Sequence, residues 1–514
     1  MGSPALFCYP IHYQQEAKMN IAQNIERASR FFPDKAAVIF EGQTTTYRQL
    51  NKQANRVANA LNVAGIETGD RVALYLPNIP AFAAAYLGTV KRGAIAVSLN
   101  AMLKAEEVKY IINDCGAKWI FTTGELLPNL PLDETPTLEQ VIVCEGETGG
   151  RPALDEWLAP ASASARAADL ARDAPAAILY TSGTTGFPKG ATLSHGNVVS
   201  NLYATNHHTG MRPDDRLMLF LPLFHCFGQN FIMNAAFNTG TTVVLHRRFV
   251  PDEVLDSIQR HQATMFFAVP TIYIHFLNAG IPPEALASLR YYFTAAANMP
   301  PEIARRWQET FSQPIYEGYG LTECSPFACY NHDFRYKPGS VGQPIENVEV
   351  KILDQDGQEM PAGEWGAICI KGPNVMLGYW NKPEATAAAI QDGWLRSGDI
   401  GLVDDEGYVS IVDRTKDMIN VSGFKVYPAE VEHVLYRHPA VHEAAVFGVT
   451  DEVKGERVRA HVVLKPGQTV TSDEMIAFCR EQIATYKVPA EITFVAALPK
   501  SATGKVLKRL MRDT

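Results

Sequence analysis

Five hydroxyl side chains, three glycines and a lysine fall within the eleven residues 180–190, "YTSGTTGFPKG", directly behind the apolar run "APAAILY". Thr181, Ser182, Thr184 and Thr185 offer hydroxyl donors, while Gly183, Gly186 and Gly190 let backbone N–H groups approach an anion closely. That combination cradles phosphate oxygens, and Lys189 adds a mobile positive charge. The spacing departs from a P-loop, whose lysine directly follows the last glycine and precedes Ser or Thr; here Lys189 stands three residues after Gly186. The loop does not hold G-x-G-x-x-G, which removes support from nicotinamide and flavin readings, and the lack of a G-x-S-x-G elbow weakens a serine hydrolase. A flexible linker shares this composition, so the loop alone leaves a phosphate site and a linker both open.

The elements that must position this loop are legible upstream. In "TTTYRQLNKQANRVANALNVAG", Thr46 and Gln49 form a capping box, Leu50, Ala54, Val57 and Leu61 make an apolar stripe, and Gly65 ends the helix. "DRVALYLPN" follows as a strand, "AFAAAYLGTVKRG" as a helix, "AIAVSL" as a strand, "AEEVKYIINDCG" as a helix and "KWIFTT" as a strand. This alternation is that of a parallel α/β sheet. Residues 156–175 shift to Ala, Ser and Arg, which reads as an exposed connection ahead of the loop. Beyond about Gly363 the pattern turns to short strands, "GAICIKG" and "EGYVSIVD". Near Arg414 a separate α+β unit begins, with strands "AAVFGV" and "RAHVVLK" and the helix "SDEMIAFCREQI".

Composition narrows the function classes. A chain of 514 residues, 46% apolar and 20% charged, reads as a soluble enzyme of at least two domains. The most apolar stretch, residues 81–99, is interrupted by Lys91 and Arg92, which argues against a spanning helix. Residues 1–18 lack a signal-peptide pattern and read as a leader or a cloning scar. The eight cysteines are scattered, and Cys324 and Cys329 have no second pair to complete a zinc site, so reduced thiols in a cytoplasmic protein are expected. A net charge of −9 argues against nucleic-acid partners, the basic "KVLKRLMR" being a local exception.

Together with "YGLTE" (319–323), "SGD" (397–399), "DRTKDMINVSGFKVYPAEVE" from Asp413 and "PKSATGK" (499–505), the loop resembles the adenylate-forming superfamily of acyl-CoA synthetases, non-ribosomal adenylation domains and beetle luciferase. The resemblance runs in order from about Met19 to Arg512. It implies a large domain at 19–413, built of parallel α/β sheets with a β-barrel-like subdomain, and a small mobile α+β domain at 414–514. It also implies ATP, Mg²⁺ and coenzyme A. A carboxylate attacking the α-phosphate brings two anions together, so cationic help is needed there. By resemblance, the 181–189 loop holds the β- and γ-phosphates, Glu323 holds Mg²⁺, Thr322 contacts the α-phosphate, and Lys505 bridges the carboxylate and α-phosphate oxygens. Asp399 takes the ribose hydroxyls with Arg414 assisting, and Tyr319 stacks on adenine, with Glu317, Gly318, Ala297 and Asn298 completing the nucleotide site. Ser397 replaces the family's threonine before Gly-Asp. Read without the family, Lys505 would be part of a solvated basic tail and Glu323 and Asp399 would be surface carboxylates.

The pantetheine thiol must later reach the ground that Lys505 holds. The resemblance implies rotation of the small domain about Lys416, bringing in residues 420–425, where Gly423 leaves room for pantetheine beside Ser422, Phe424 and Lys425. Taken alone, "VSGFKV" is an ordinary β-turn. His225 in "PLFHCFG" matches a position beside the substrate carboxylate, and "FH" in place of "FD" disfavours amino acids. The acyl pocket is expected to draw on Phe227, Gly228, Gln229, Asn234, Val269, Thr294, Ala295, Ala296 and Gly320. The stretch Thr294-Ala295-Ala296-Ala297-Asn298 departs from the family's S-G-[GA]-A-P, which puts substrate identity in question. With no Arg or Lys among these positions, an apolar monocarboxylate is expected, a medium or long aliphatic chain first and an aryl or arylalkyl acid as the alternative. Transfer to an acyl carrier protein is a further alternative, which the compact 339–380 segment disfavours, and no motif speaks for a luciferase-like oxygenase.

Overall fold

The computed structural model describes residues 18–181, 187–332, 335–414, 417–451, 455–501 and 504–512. Thr46 caps the helix Tyr47–Val63 as its residue types require: its hydroxyl accepts from the Gln49 N–H while the Gln49 side chain accepts from the Thr46 N–H. Such a cap contributes about 1 kcal/mol. Leu50, Val57 and Leu61 are completely buried, against the neighbouring helix Pro80–Arg92 among other elements, each removal from water stabilising by about 1.5–3 kcal/mol before entropy is counted.

Two large sheets frame the large domain. The first has seven strands in the order Gly378–Tyr379, Lys189–Ser194, Pro175–Thr181, Ile95–Ser98, Arg71–Leu74, Trp119–Thr122 and Gln140–Val143, parallel from Pro175–Thr181 onward. The second has nine strands and places Phe327–Tyr330, Tyr316–Gly320, Tyr291–Thr294 and Met265–Ala268 side by side. The opening motif therefore joins the antiparallel strands Pro175–Thr181 and Lys189–Ser194, with Thr181 opposite Lys189. A P-loop would instead lead from strand to helix.

The expected change to short strands comes earlier than Gly363. Glu349–Leu353 already pairs antiparallel with Gly366–Lys371, which continues into Trp394–Val403 and Val409–Arg414. The strand was not separable by sequence because "VEVKIL" is short and half exposed. Residues 156–175 are mostly outside regular structure, as expected, yet they are fastened: the Asn55 and Asn59 amides donate to the carbonyls of Ala163, Ser162 and Ser164.

The C-terminal domain has its own core of Ile419, Val446, Val458, Ala460, Met475 and Ile492, among others. It is built on the long hairpin Val441–Asp451 and Gly455–Leu464 with the helices Pro428–Arg437 and Ser472–Gln482. No helix among the described residues is long and apolar enough to cross a membrane; residues 81–99 hold all but the first residue of the helix Pro80–Arg92 and then the strand Ile95–Ser98.

Candidate active site

The strand Tyr316–Gly320 runs through the middle of the site. Its neighbours dictate its glycines: a Cβ on Gly320 would lie 1.8 Å from the Pro326 carbonyl oxygen, so no larger residue fits. Gly318 abuts Phe293 and Phe327 in the same manner. The Tyr319 hydroxyl donates to Asp399 Oδ2 at 2.7 Å, and Arg414 Nε stands 3.3 Å from Asp399 Oδ1. Asp399 and Arg414 are paired across the antiparallel strands Trp394–Val403 and Val409–Arg414. Ser397 supports the same turn, accepting the Asp399 N–H and donating to the Ile368 carbonyl. Burial, with the Asp399 charge adding to it, raises the Tyr319 phenol well above its ordinary value. Glu317 is buried, and desolvation pushes its carboxyl up to about 8, so it is protonated at neutral pH. Ala297 and Asn298 are exposed in the segment that follows the neighbouring strand Tyr291–Thr294.

Glu323 follows on a short 3-10 turn, Thr322–Cys324. Its Oε1 accepts the Tyr379 hydroxyl at 2.9 Å and faces the Thr181 hydroxyl at 3.4 Å. Tyr379 also lies under Lys189, whose ammonium is 5.2 Å from the ring centroid. Tyr379 is thus the link between the loop lysine and the acidic residue, and sequence reading missed it: it sits on a two-residue strand that reaches the loop only through pairing with Lys189–Ser194. Cys226 was missed for the same reason, its Sγ meeting Thr322 Oγ1 at 3.4 Å. Burial pushes that thiol up to about 12, so it acts as a packed hydrogen-bonding group and not a nucleophile. Ser182, Gly183, Thr184 and Thr185, expected on the phosphates, and Lys416, expected as the hinge, lie outside the described residues.

His225 accepts the Phe227 N–H on Nδ1 at 3.2 Å, which leaves Nε2 carrying the proton and available to donate. Burial pushes this imidazole down to about 4, and the positive charge of Lys505 adds to the shift. The segment carrying Lys505 belongs to the other domain yet comes near enough for its charge to act on His225. The lysine is carried there on a tight turn, where the Lys505 N–H donates to the Ser501 hydroxyl and Ser501 N–H to the Lys505 carbonyl. The turn touches the large domain: a Cβ on Gly504 would lie 3.0 Å from Val269 Cγ2 and 3.4 Å from Thr271 Oγ1.

Residues 227–234 form a π-helix, a form common where function distorts a helix. Phe227 and Phe231 project from it against Phe293 and Phe327, with ring centroids 4.2–6.0 Å apart. Gln229 and Asn234, expected in the acyl pocket, are fully buried and engaged elsewhere: Ser98 donates to Gln229 Oε1 at 2.6 Å, and the Asn234 amide donates to Tyr86 and Asn230. Gly228 leaves room for the Pro222 carbonyl. Thr294 and Ala295 are buried, and Ala296 takes φ +71°, a conformation suited to glycine.

Residues 420–425 are elsewhere. They form the turn between Ile419–Val421 and Phe424–Val426, with Ser422 to Lys425 exposed. Gly423 has φ +89° and nothing within 4 Å of where a Cβ would lie.

A family model described as AMP-binding enzyme matches residues 25–380, and one described as AMP-binding enzyme C-terminal domain matches 430–505. A long-chain-fatty-acid–CoA ligase of Bacillus subtilis is 35% identical over 94% of this chain and 92% of its own. A feruloyl-CoA synthase of an Amycolatopsis species is 36% identical, covering 95% and 97%. The crystal structure of the anthranilate CoA ligase AuaEII with anthranoyl-AMP superposes with a TM-score of 0.91 at 32% identity, covering 96% of this chain and 97% of that one.

Proposed function

We propose that this chain, which belongs to the AMP-binding enzyme family, is an AMP-forming acyl-CoA synthetase acting on an apolar monocarboxylic acid. The observation that carries the reading is the docking of the segment that holds Lys505 on the large domain, Gly504 against Val269 and Thr271, with the lysine's charge acting on His225. A cation delivered there stands where a carboxylate and an α-phosphate must be brought together, and it offsets the charge that accumulates as they react. The acid's oxygen bonds to the α-phosphorus, pyrophosphate leaves, and acyl-AMP results. Neutral His225 offers Nε2–H to the carboxylate side, and Thr322 offers its hydroxyl to the phosphate side. Asp399 accepts the ribose hydroxyls with Arg414 and Tyr319 fixing its orientation, and Tyr319 also supplies the adenine's stacking face beside Glu317, Gly318, Ala297 and Asn298.

Glu323, Thr181 and Tyr379 converge as hard oxygen donors, a set that suits Mg²⁺. Glu323 would hold the ion, and bound there it would neutralise phosphate charge. Lys189, resting on the Tyr379 ring, reaches for the outer phosphates. After adenylation the small domain turns about Lys416, taking Lys505 out and bringing residues 420–425 in. The CoA thiol then bonds to the acyl carbon and AMP leaves. The free cysteines, seven among the described residues, suit a reducing cytoplasm.

For the acid, an aliphatic chain of medium or long length is the first reading. The buried ring cluster of Phe227, Phe231, Phe293 and Phe327 beside the expected acyl positions supports a second, an aryl or arylalkyl acid. The test is product formation from ATP with straight-chain acids from butyrate to stearate and with benzoate, cinnamate and phenylacetate. Each is supplied with CoA, with a carrier protein, or with neither. Thioester with CoA from an apolar acid is the expected result. Adenylate that only the carrier protein discharges would replace the CoA reading.

A further inference from the structure

Away from this site, the helix His195–Thr209 ends with two consecutive histidines facing one glutamate. His208 Nε2 lies 2.9 Å from Glu346 Oε2, and His207 Nε2 lies 3.6 Å from Glu346 Oε1. The ligand atoms that the three residues offer all lie within 4.8 Å of one another. We propose that His207, His208 and Glu346 form a binding site for a divalent transition-metal ion of the zinc class, with His332 orienting His208 from behind.

Three observations support it. His208 is buried, held between a stacked Tyr330 ring at 5.2 Å and the His332 ring at 4.4 Å, so its direction is fixed before any ion arrives. His208 Nδ1 lies 3.1 Å from His332 Nδ1. With an ion on Nε2, the His208 Nδ1–H has His332 to donate to, the arrangement in which metal-binding imidazoles are held by a partner on their other nitrogen. Finally, His207 and Glu346 are exposed, with side-chain exposures of 72% and 47%. They are free to close on an ion whose tetrahedral ligands stand about 3.4 Å apart, leaving a fourth position for water.

The ion would fasten the end of this helix to the segment following Gln343–Pro344, on the far side of the Tyr330–Phe293 stack from the phenylalanine cluster. The site takes no part in the reaction proposed above. The experiment uses tag-free full-length protein equilibrated with Zn²⁺, desalted and assayed for bound metal, with affinity read by chelator competition. One Zn²⁺ per chain and a Zn²⁺-dependent rise in unfolding temperature are expected. His207→Ala and Glu346→Gln alter exposed side chains and should each weaken binding by roughly tenfold or more while adenylation is unchanged. Zn²⁺ held equally by wild type and both variants, or not held by wild type, would overturn the site.

Discussion

Two turns of the small domain are assigned to the same few ångströms of the large one, and the structure treats them oppositely. The turn ending in Lys505 is docked: Gly504 meets Val269 and Thr271, and the lysine's charge is felt by His225. The turn at 420–425 points into solvent, with Phe424 58% exposed and resting on Tyr486 of its own domain. Under the proposed function this is the arrangement for making an adenylate, with the turn proposed for thioester formation held apart. The difference teaches how, in the proposed function, two chemically incompatible requirements, a cation over the phosphate and an open path for a thiol, are met by giving each its own turn of one small domain. Contacts of the docked state mix polar and apolar groups: the Asn278 amide stands 2.6 Å from His442, the Trp365 ring packs edge-on against Tyr427 at 5.2 Å, and Gly504 meets Val269.

The comparison breaks most sharply at Lys505. Lys505→Ala should slow adenylate formation by roughly a hundred- to thousandfold, while thioester formation from supplied acyl-AMP and CoA stays within about threefold; equal loss in both assays would end the division of labour. Gly423→Leu should do the converse, slowing thioester formation roughly tenfold or more and sparing adenylation. Because Gly423 has φ +89°, any side chain there costs about 1–2 kcal/mol of backbone strain. Gly423→Ala carries that strain without the bulk, and a defect as large as leucine's would assign the effect to the backbone and not to a thiol path.

Smaller effects sharpen the docked side. Tyr379→Phe removes the hydroxyl that Glu323 accepts but keeps the ring under Lys189. A loss of about 1 kcal/mol, or roughly a fivefold rise in KM for ATP, is expected; unchanged kinetics across an ATP series would detach Tyr379 from the nucleotide. The smallest effect concerns His225, held down to about 4 by burial first and Lys505 second. Removing the neighbouring cation disfavours the imidazolium less, so in Lys505→Ala the His225 pKa should rise while remaining below the ordinary 6.5. Titration of its ring proton by NMR checks this, and a fall would mean that Lys505 is not beside it.

Much of the molecule was legible in order along the chain. The Thr46 cap, the Tyr47–Val63 stripe and the alternation from Arg71 to Thr122 are local patterns, and the structure follows them. The meeting of Tyr319, Asp399 and Arg414, proposed as the nucleotide end, was legible because each sits in a short distinctive run. The acyl end was less so. Gln229 and Asn234 looked available in "FGQNFIMN", but their amides are engaged by Ser98 and Tyr86, partners that no local pattern announces.

The sequence by itself determined that a hydroxyl- and glycine-rich loop with one lysine would follow a buried strand, that a basic segment would close the chain, and which residue types could meet an anion. These follow from the chemistry of neighbours and from helical and strand periodicity. Only the tertiary structure decided that Tyr379 lies between Lys189 and Glu323, that Cys226 backs Thr322, and that His207 and His208 share Glu346. Those meetings join residues distant along the chain, and strand order and helix packing set them, which no run of neighbours encodes.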